Sequence, residues 1–433
     1  MWWSRLRGRG PIPNVVMTPA LLSAWMRSPE RLLAGLGIAV LAGLGSGLAS
    51  AVFLTALDAV TVTRWRHPWL LFLLPVAGLL MVRAYATWGR GSERGVSLLL
   101  DVAHRRSPQV PWTMAPLVFG ATLLSHLCGG SVGREGTAVQ MGAALSHVWG
   151  RRLSALVPDP SVAVLAGIAG GFGAVFGTPW AGALYAIELP VLGQFQWRRA
   201  LPCLVASWLG HATCLALGVQ HTHYPLAQSL SLQPAGGLWQ CVLAAVAFGL
   251  VARLFVGCLR GWGRLFERLA IPRWALPVVS AFVVLALTQF LGTDAYLGIG
   301  VTGRLPGDPS LVRCFEPGGV TAWSWGWKLL FTTVTLAGGF KGGEVTPLFF
   351  VGAALGHTLA MLAGWPVPEF AAMGFVAVFA AASHTPLACS VLGWELFGPE
   401  LLLPALLVCV VANAVATGTG LYDARTQSAL GSR

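Results

Sequence analysis

The sequence predicts an all-α membrane protein that crosses the bilayer many times and is built from two related halves. Of its 433 residues, 55% are hydrophobic and 10% are charged, whereas a soluble chain carries roughly a quarter charged residues. Long apolar runs follow one another along the chain, and two segments 210 positions apart repeat each other's sequence. The composition therefore predicts a polytopic membrane protein, and the repeat predicts its internal symmetry.

Ten apolar runs are the candidate membrane helices. In the first half they cover residues 32–57, 69–82, 111–127, 161–176 and 201–217, and in the second half 238–251, 275–291, 348–363, 370–382 and 401–416. A helix needs roughly 20 apolar residues to span a bilayer, so some runs are full spans and others are too short. Short segments interrupted by glycine or proline at matching places predict half-helices around a binding site.

The runs divide the chain into four parts. Residues 1–31 form a basic N-terminal segment, and arginines ahead of a first span favour a cytoplasmic position. We predict the first transmembrane repeat at 32–220, an inter-repeat loop and basic connector at 221–273, and the second transmembrane repeat at 274–433. The connector's arginines suit an amphipathic surface helix. The net charge of +12 lies in short loops, and without a soluble basic domain it does not indicate nucleic-acid binding.

Two glycine-rich signatures are imperfect copies of each other. Residues 133–137 read Gly-Arg-Glu-Gly-Thr and residues 343–347 read Gly-Glu-Val-Thr-Pro. The same offset matches Gly-Ala-Ala-Leu at 142–145 with Gly-Ala-Ala-Leu at 352–355. Self-similarity at a fixed spacing indicates duplication. In a membrane protein it predicts two repeats that enclose a site near the midplane, although it leaves the relative orientation of the halves open.

A second pair of matching segments lies downstream. Thr178 and Thr385 each begin a Thr-Pro-x-Ala segment, and each is followed ten positions later by a glutamate, Glu188 or Glu395. A carboxylate at membrane depth costs several kcal/mol unless it is paired or hydrogen-bonded. Because these glutamates occur late in an apolar helix and at equivalent places, we favour a shared packing or pairing function for them.

Glu135 has a different setting, because glycines flank its signature just ahead of the predicted helix at 138–148. Glycine lets the backbone approach a ligand closely, and a helix N-terminus offers unpaired N–H groups to an anion. The Glu135 carboxylate could occupy such an anion site itself and leave it on protonation. A simple helix cap is the alternative, and we favour the functional interpretation.

The second signature predicts another helix start, with Pro347 suited to the first turn. Its free N–H groups and the Thr346 hydroxyl would face the same anion from the other repeat. Glu344 is either an inner proton acceptor or an ion-pair partner of Arg134 or Lys341, and the sequence does not choose between these roles.

The remaining polar residues favour a transporter over an enzyme. The sequence lacks a recognisable nucleophile motif, nucleotide-binding glycine loop or metal-binding histidine pattern, so we expect no cofactor and no metal. Tyr422 follows the last apolar run. Its phenol could donate to an anion, but its position favours an anchor at the membrane interface.

Together, the two signatures, the two Thr-Pro-x-Ala segments and the terminal tyrosine resemble the CLC anion channel and transporter family over nearly the whole chain. The resemblance implies a homodimer with one pore per subunit, each pore built from two inverted repeats of tilted and broken helices. It implies gating and proton coupling by Glu135 and Glu344. It also implies anion contacts from seven residues: Gly133, Arg134, Gly136, Gly343, Val345, Thr346 and Tyr422.

Details of the signatures are similar to those of the bacterial fluoride-exporting branch. Chloride members typically have proline where this chain has Thr137, and phenylalanine where it has Val345. Chloride/proton antiporters also carry a second acidic residue beside the position of Glu188, where this chain has Leu189. The resemblance therefore makes Glu344 the leading inner proton acceptor. The loop 90–97 departs from both branches, with Glu93, Arg94 or Val96 at the expected contact position.

The function expected from this resemblance is fluoride export in exchange for protons across the bacterial inner membrane. The alternative is a chloride/proton antiporter or chloride channel of the same family. The expected partners are a halide anion, protons, the lipid bilayer and a second copy of the chain.

Overall fold

The computed structural model describes residues 29–104, 106–107, 109–153, 159–190, 199–224 and 237–422. These ranges form α-helices and short 3-10 turns and contain no strand. The predicted N-terminal segment 1–31 lies outside the described residues except for its last three, which begin the first helix.

Eight helices form the first half. They are α1 (Pro29–Arg66), α2 (Leu74–Trp88), α3 (Val96–Ala103), α4 (Met114–Leu127), α5 (Glu135–Arg152), α6 (Pro160–Phe176), α7 (Pro179–Glu188) and α8 (Ala200–Ala216). The five apolar runs predicted for this half all coincide with helices. The analysis of apolar runs missed α3, which has only eight residues.

Seven helices form the second half. They are α9 (Leu238–Arg268), α10 (Leu276–Leu291), α11 (Ser324–Ala337), α12 (Val345–Ala363), α13 (Val367–Ser383), α14 (Pro386–Phe397) and α15 (Leu402–Val415). The missed helix here is α11, because lysine and threonines interrupt its apolar pattern. Those side chains are buried within the protein, and the Lys328 Nζ donates to the carbonyl oxygens of Tyr296 at 3.2 Å and Gly298 at 2.8 Å.

Within the predicted connector, residues 238–268 join the apolar run predicted at 238–251 to the basic stretch that follows it. These residues form one continuous helix, α9, because apolar side chains face the protein along its first part and arginines occupy the exposed side farther on. The helix therefore belongs to the second repeat and carries the predicted basic surface at its C-terminal end.

Few of the described helices are long enough to cross a bilayer unaided. By length and composition, the segments Leu33–Arg66, Pro68–Trp88, Leu238–Arg268 and Val345–Ala363 qualify. The apolar window of the last is 83% buried, compared with 33–50% for the other three. Protein rather than lipid therefore surrounds α12, which places its N-terminus inside the molecule.

The two halves repeat the same arrangement of helices. Helices α4 and α11 start 210 positions apart, and so do α5 and α12. The α5–α6 pair crosses at Gly142 and Gly167, and the α12–α13 pair crosses at Gly352 and Gly374. A Cβ on Gly142 would lie 2.3 Å from the Gly167 carbonyl oxygen, and one on Gly352 would lie 2.0 Å from the Gly374 carbonyl oxygen. Small residues let both pairs pack backbone to backbone.

The halves have inverted orientations. Gly133 and Gly343 form an isolated antiparallel bridge, in which the Gly133 N–H donates to the Gly343 carbonyl at 2.5 Å and the Gly343 N–H donates to the Gly133 carbonyl at 2.7 Å. Equivalent segments of a repeat can pair in this way when a two-fold axis passes between them. The bridge is thus consistent with a two-fold relation between the halves.

Glu188 and Glu395 join the halves through a reciprocal pair of helix caps. The Glu188 carboxylate accepts from the N–H groups of Leu387 and Ala388 at 3.1 and 2.8 Å, at the start of α14. The Glu395 carboxylate accepts from the N–H groups of Trp180 and Ala181 at 3.0 and 2.8 Å, at the start of α7. Each glutamate thus satisfies helix N–H groups that would otherwise lack a partner. The predicted structural role of both residues is confirmed.

Candidate functional site

Two helix N-termini meet at the bridge between the repeats. Helix α5 begins at Glu135 and helix α12 begins at Val345, immediately after the paired glycines. A Cβ on Gly343 would lie 2.7 Å from the Gly136 amide nitrogen, and one on Gly133 would lie 2.9 Å from the Gly343 carbonyl oxygen. The glycines predicted from the signatures therefore let the two helix starts, with their positive dipole ends, converge on one small volume.

The Glu135 carboxylate occupies this volume. Its side chain is 1% exposed, and its Oε2 accepts from the Thr346 amide at 3.1 Å and also from the Thr346 hydroxyl. Its Oε1 accepts from Arg134 Nε at 3.2 Å. The sequence predicted a carboxylate at an anion site. It did not predict that Glu135 would reach across to the N-terminus of α12, in the other repeat.

Glu344 lies on the other side of the bridge and pairs with the terminal tyrosine. The Tyr422 hydroxyl donates to Glu344 Oε1 at 2.7 Å and lies 3.4 Å from the Tyr185 hydroxyl. Because Tyr422 is only 5% exposed, the interpretation as an interface anchor is wrong.

The cations proposed as partners of Glu344 have other contacts. Arg134 pairs with Glu135. The Lys341 Nζ donates to the Glu93 carbonyl at 3.1 Å and lies 4.8 Å from the centre of the Tyr85 ring. Within the described part of the chain, neither cation forms an ion pair with Glu344. The ion-pair partners that the sequence offered for Glu344 are therefore engaged elsewhere.

A cavity of about 370 Å³ leads to this pair. Its lining includes Glu344, Tyr422, Lys341, Gln140 and Ser92. The cavity lies beside Leu259, near the C-terminal end of α9. Through Glu344 and Gln140 it borders the residue before α12 and the buried part of α5.

Ser92 is a candidate residue that the sequence analysis missed. The side chain is buried, and its hydroxyl has no hydrogen-bond partner among the described residues. Glu93 and Arg94 are exposed instead, and Arg94 pairs with Asp101. Gly91 and Gly95, at φ +90° and +57°, shape the turn that points Ser92 inward. The two flanking glycines are the sequence feature from which Ser92 could have been predicted. Glycines with positive φ on both sides of a short loop constrain the direction in which its side chains point.

The structure thus brings the predicted site residues together. Residues of the first signature meet residues of the second signature at the bridge, and Val345 is buried there in the first turn of α12. The residues that meet are Gly133, Arg134, Glu135 and Gly136 from the first signature and Gly343, Val345 and Thr346 from the second. Tyr422 joins this group through Glu344. Two acids therefore lie at the bridge, and Glu135 occupies helix N–H donors that an anion could use.

Comparison with known proteins gives consistent matches over nearly the whole chain. The family model for voltage-gated chloride channels matches residues 76–417. A chloride/fluoride channel protein of Pseudomonas syringae pv. tomato is 40% identical over 403 residues, which cover 90% of this chain and 86% of the relative. The crystal structure of a CLC-type fluoride/proton antiporter is 31% identical, with a TM-score of 0.84 over 94% of this chain and 99% of the other. A slow cyanobacterial Cl⁻/H⁺ antiporter shares the fold, with 18% identity and a TM-score of 0.74 over 94% and 99% of the two chains.

Proposed function

Because this chain belongs to the voltage-gated chloride channel family, we propose that it exports fluoride in exchange for protons. The observation that carries the proposal is the position of the Glu135 carboxylate, which accepts the amide and hydroxyl hydrogens of Thr346. A titratable side chain in this position makes the site's occupancy depend on protonation.

The exchange step follows from competition for the donors of Thr346. The ionised Glu135 carboxylate and an anion need the same N–H and O–H groups, so the two exclude each other. Protonation removes the charge of Glu135 and weakens its hydrogen bonds, since hydrogen bonds to an ionised acceptor are about twice as strong as neutral ones. The anion then takes the Thr346 donors, and the proton moves with the displaced side chain.

Glu344 and Tyr422 act on the inner side of the same constriction. In this proposal Glu344 receives the proton, and the Tyr422 hydroxyl, which donates to it at 2.7 Å, is released as a donor to the anion when Glu344 becomes neutral. Glu188 does not compete for this role, because two backbone N–H groups of α14 hold its carboxylate.

Fluoride fits the chemistry of these donors. A small, strongly hydrated anion requires short hydrogen bonds in place of its water, and the Thr346 amide, Thr346 hydroxyl and Tyr422 hydroxyl supply them. The fluoride assignment is further supported by the relatives, one of which is described as a chloride/fluoride channel protein and another as a fluoride/proton antiporter.

Flux through proteoliposomes tests the proposal. We expect fluoride efflux to drive proton uptake in the wild type and expect Glu135→Gln to abolish the proton movement. Chloride efflux from matched vesicles measures selectivity. A Glu135→Gln variant that still exchanges protons for fluoride would remove Glu135 from the mechanism, and coupled chloride transport without fluoride transport would refute the substrate assignment.

The second candidate function is a chloride/proton antiporter or a chloride channel. The buried, unpartnered Ser92 hydroxyl favours it, because this donor faces the inner cavity beside Tyr422 and could serve a larger halide. An uncoupled channel would dissipate a fluoride or chloride gradient without moving protons, so the same vesicles distinguish all three functions.

We further propose that the protein acts in the bacterial inner membrane as a homodimer with one pore per subunit. Large apolar side chains on α7, α8, α14 and α15 remain exposed in the single chain, including Trp180, Trp208 and Leu403. Such a face requires lipid or a second copy of the chain as its partner. Cross-linking in native membranes, with monomers as the contradicting result, tests the dimer.

A further inference from the structure

A second, smaller cavity is lined by two buried side chains, Arg64 and His126, that have unused hydrogen-bonding groups. Its volume is about 40 Å³, and its lining includes Arg64 at the end of α1, His126 and Gly129 at the end of α4, and the loop Asp294 to Arg304 after α10. A cavity of this size holds one occupant close to the size of a water molecule or a halide ion.

This cavity and the larger one open toward opposite ends of the molecule. The small cavity adjoins the C-terminal end of α1, whereas the larger one adjoins the C-terminal part of α9, near Leu259. Helices α1 and α9 begin their respective repeats, and the repeats are inverted, so these two helix ends face opposite sides. The two cavities share no lining residue, and residues 129–133 join the small cavity to the bridge between the repeats.

Arg64 is an unusual arginine because it is buried but only partly paired. The residue is 5% exposed, and its Nη2 lies 3.8 Å from Asp294 Oδ2. Its Nε and Nη1 have no hydrogen-bond partner among the described residues. A buried, ionised donor without an acceptor is costly, so an anionic or water partner is expected for it.

Gly129 keeps the Nε side of this guanidinium open. Its φ is +80°, and a Cβ at this position would lie 3.1 Å from Arg64 Nε. The backbone therefore passes close to Arg64, where a side chain on residue 129 would crowd the guanidinium and Leu71.

His126 supplies a second donor on the same cavity. The imidazole is 3% exposed, and within the described ranges neither ring nitrogen has a hydrogen bond of normal geometry, although the ring lies close to the Gly133 backbone. Gly133 of the bridge follows His126 by seven positions. The imidazole thus connects the cavity to the loop that positions Glu135.

The charges around the cavity favour an anion. Asp294 is its acidic side chain, and it faces two arginines, Arg64 and Arg304, whose nitrogens lie 3.8 and 3.2 Å from its Oδ2. Lys328 lies behind the loop, with its Nζ 3.1 Å from the position of a Cβ on Gly300. Among the charged side chains that line the cavity, one negative charge thus faces two positive ones. In a poorly solvated setting this excess attracts a small monoanion.

We propose that Arg64 and His126 form an outer halide site, separate from the Thr346 donors, where the anion pauses on the far side of Glu135. The proposal rests on the proposed function for the identity of the ion. Because its donors come from side chains rather than from the narrow helix junction, the site accepts bromide as well as fluoride.

Bromide soaking of crystals of the full chain tests this site, with anomalous scattering as the readout. We expect a peak next to Arg64 Nε in the wild type and expect excess fluoride to remove it. Arg64→Gln should lose the peak, and His126→Ala should weaken it. Arg313→Gln is the matched control, because Arg313 lies on the same connection but pairs with the exposed Glu316 outside the cavity, and it should leave the peak unchanged.

Each result has a defined meaning for the proposal. A wild-type cavity without a peak overturns it, and a peak that survives Arg64→Gln marks an adventitious ion. Crystals that diffract show that a variant is correctly folded. If Arg64→Gln does not crystallise, the weaker bromide peak expected in His126→Ala tests the site in its place. A wild type that transports fluoride but shows no peak refutes this inference alone, whereas a peak without any transport refutes the proposed function.

Discussion

Thr346 presents two donors to one carboxylate oxygen of Glu135, and they should not contribute equally to transport. The amide belongs to the helix backbone and survives substitution, whereas the hydroxyl can be removed. We expect Thr346→Val to raise the half-saturating fluoride concentration about tenfold, because a hydrogen bond to a charged group contributes roughly 1.5–3 kcal/mol. Thr346→Ser, which keeps the hydroxyl, should retain the wild-type value. Equal behaviour of the two variants in fluoride flux would remove the hydroxyl from the site.

Tyr422 should affect coupling rather than stability. Tyr422→Phe removes the hydroxyl that donates to Glu344 while it preserves the buried ring. We expect the variant to keep its unfolding temperature within a few degrees and to move fewer protons per fluoride. Tyr296→Phe is the control, since it removes a buried hydroxyl that contacts Ser324 away from the bridge. A coupling ratio that falls in both variants would point to a general packing effect.

At the scale of helices, the close approach of two N-termini depends on Gly343. A methyl group there would lie 2.7 Å from the Gly136 backbone nitrogen, where no side chain can move aside. We expect Gly343→Ala to separate the helix starts and abolish fluoride flux. Gly326→Ala, in the first turn of α11 with open space around its Cβ position, should retain flux and unfold at an equal or higher temperature. Wild-type flux in Gly343→Ala would contradict the shared site.

The reciprocal caps make a separate prediction, which concerns stability. Glu188→Gln and Glu395→Gln each replace a charge-assisted cap that joins the halves. We expect each to lower the free energy of unfolding by about 1–3 kcal/mol and to leave the proton-to-fluoride ratio unchanged. The exposed Glu316→Gln, which breaks a surface pair with Arg313, should change stability by less than about 1 kcal/mol. A changed coupling ratio in Glu188→Gln would assign this residue to proton transfer.

At the scale of the whole molecule, the repeat made the fold and much of the site predictable. Because Gly133 and Gly343 occupy equivalent positions of a duplicated unit, their signatures could be placed together before any contact was known. The reach of Glu135 to Thr346 in the other repeat, and the partnership of Tyr422 with Glu344, required three-dimensional distances. Ser92 and α11 escaped prediction because burial within protein, rather than the local sequence pattern, determines their environment.

Because the site takes its groups from both halves, neither half should transport anions alone. The first half supplies Glu135 and the second supplies Thr346, Glu344 and Tyr422, and the bridge and the reciprocal caps hold the halves together. We expect co-expressed fragments 1–236 and 237–433 to purify as one complex with measurable fluoride flux, since a covalent connection between the halves mainly raises their effective concentration. Each fragment expressed separately is the control. Flux from a single fragment, or fragments that never associate, would contradict a pore shared between inverted repeats.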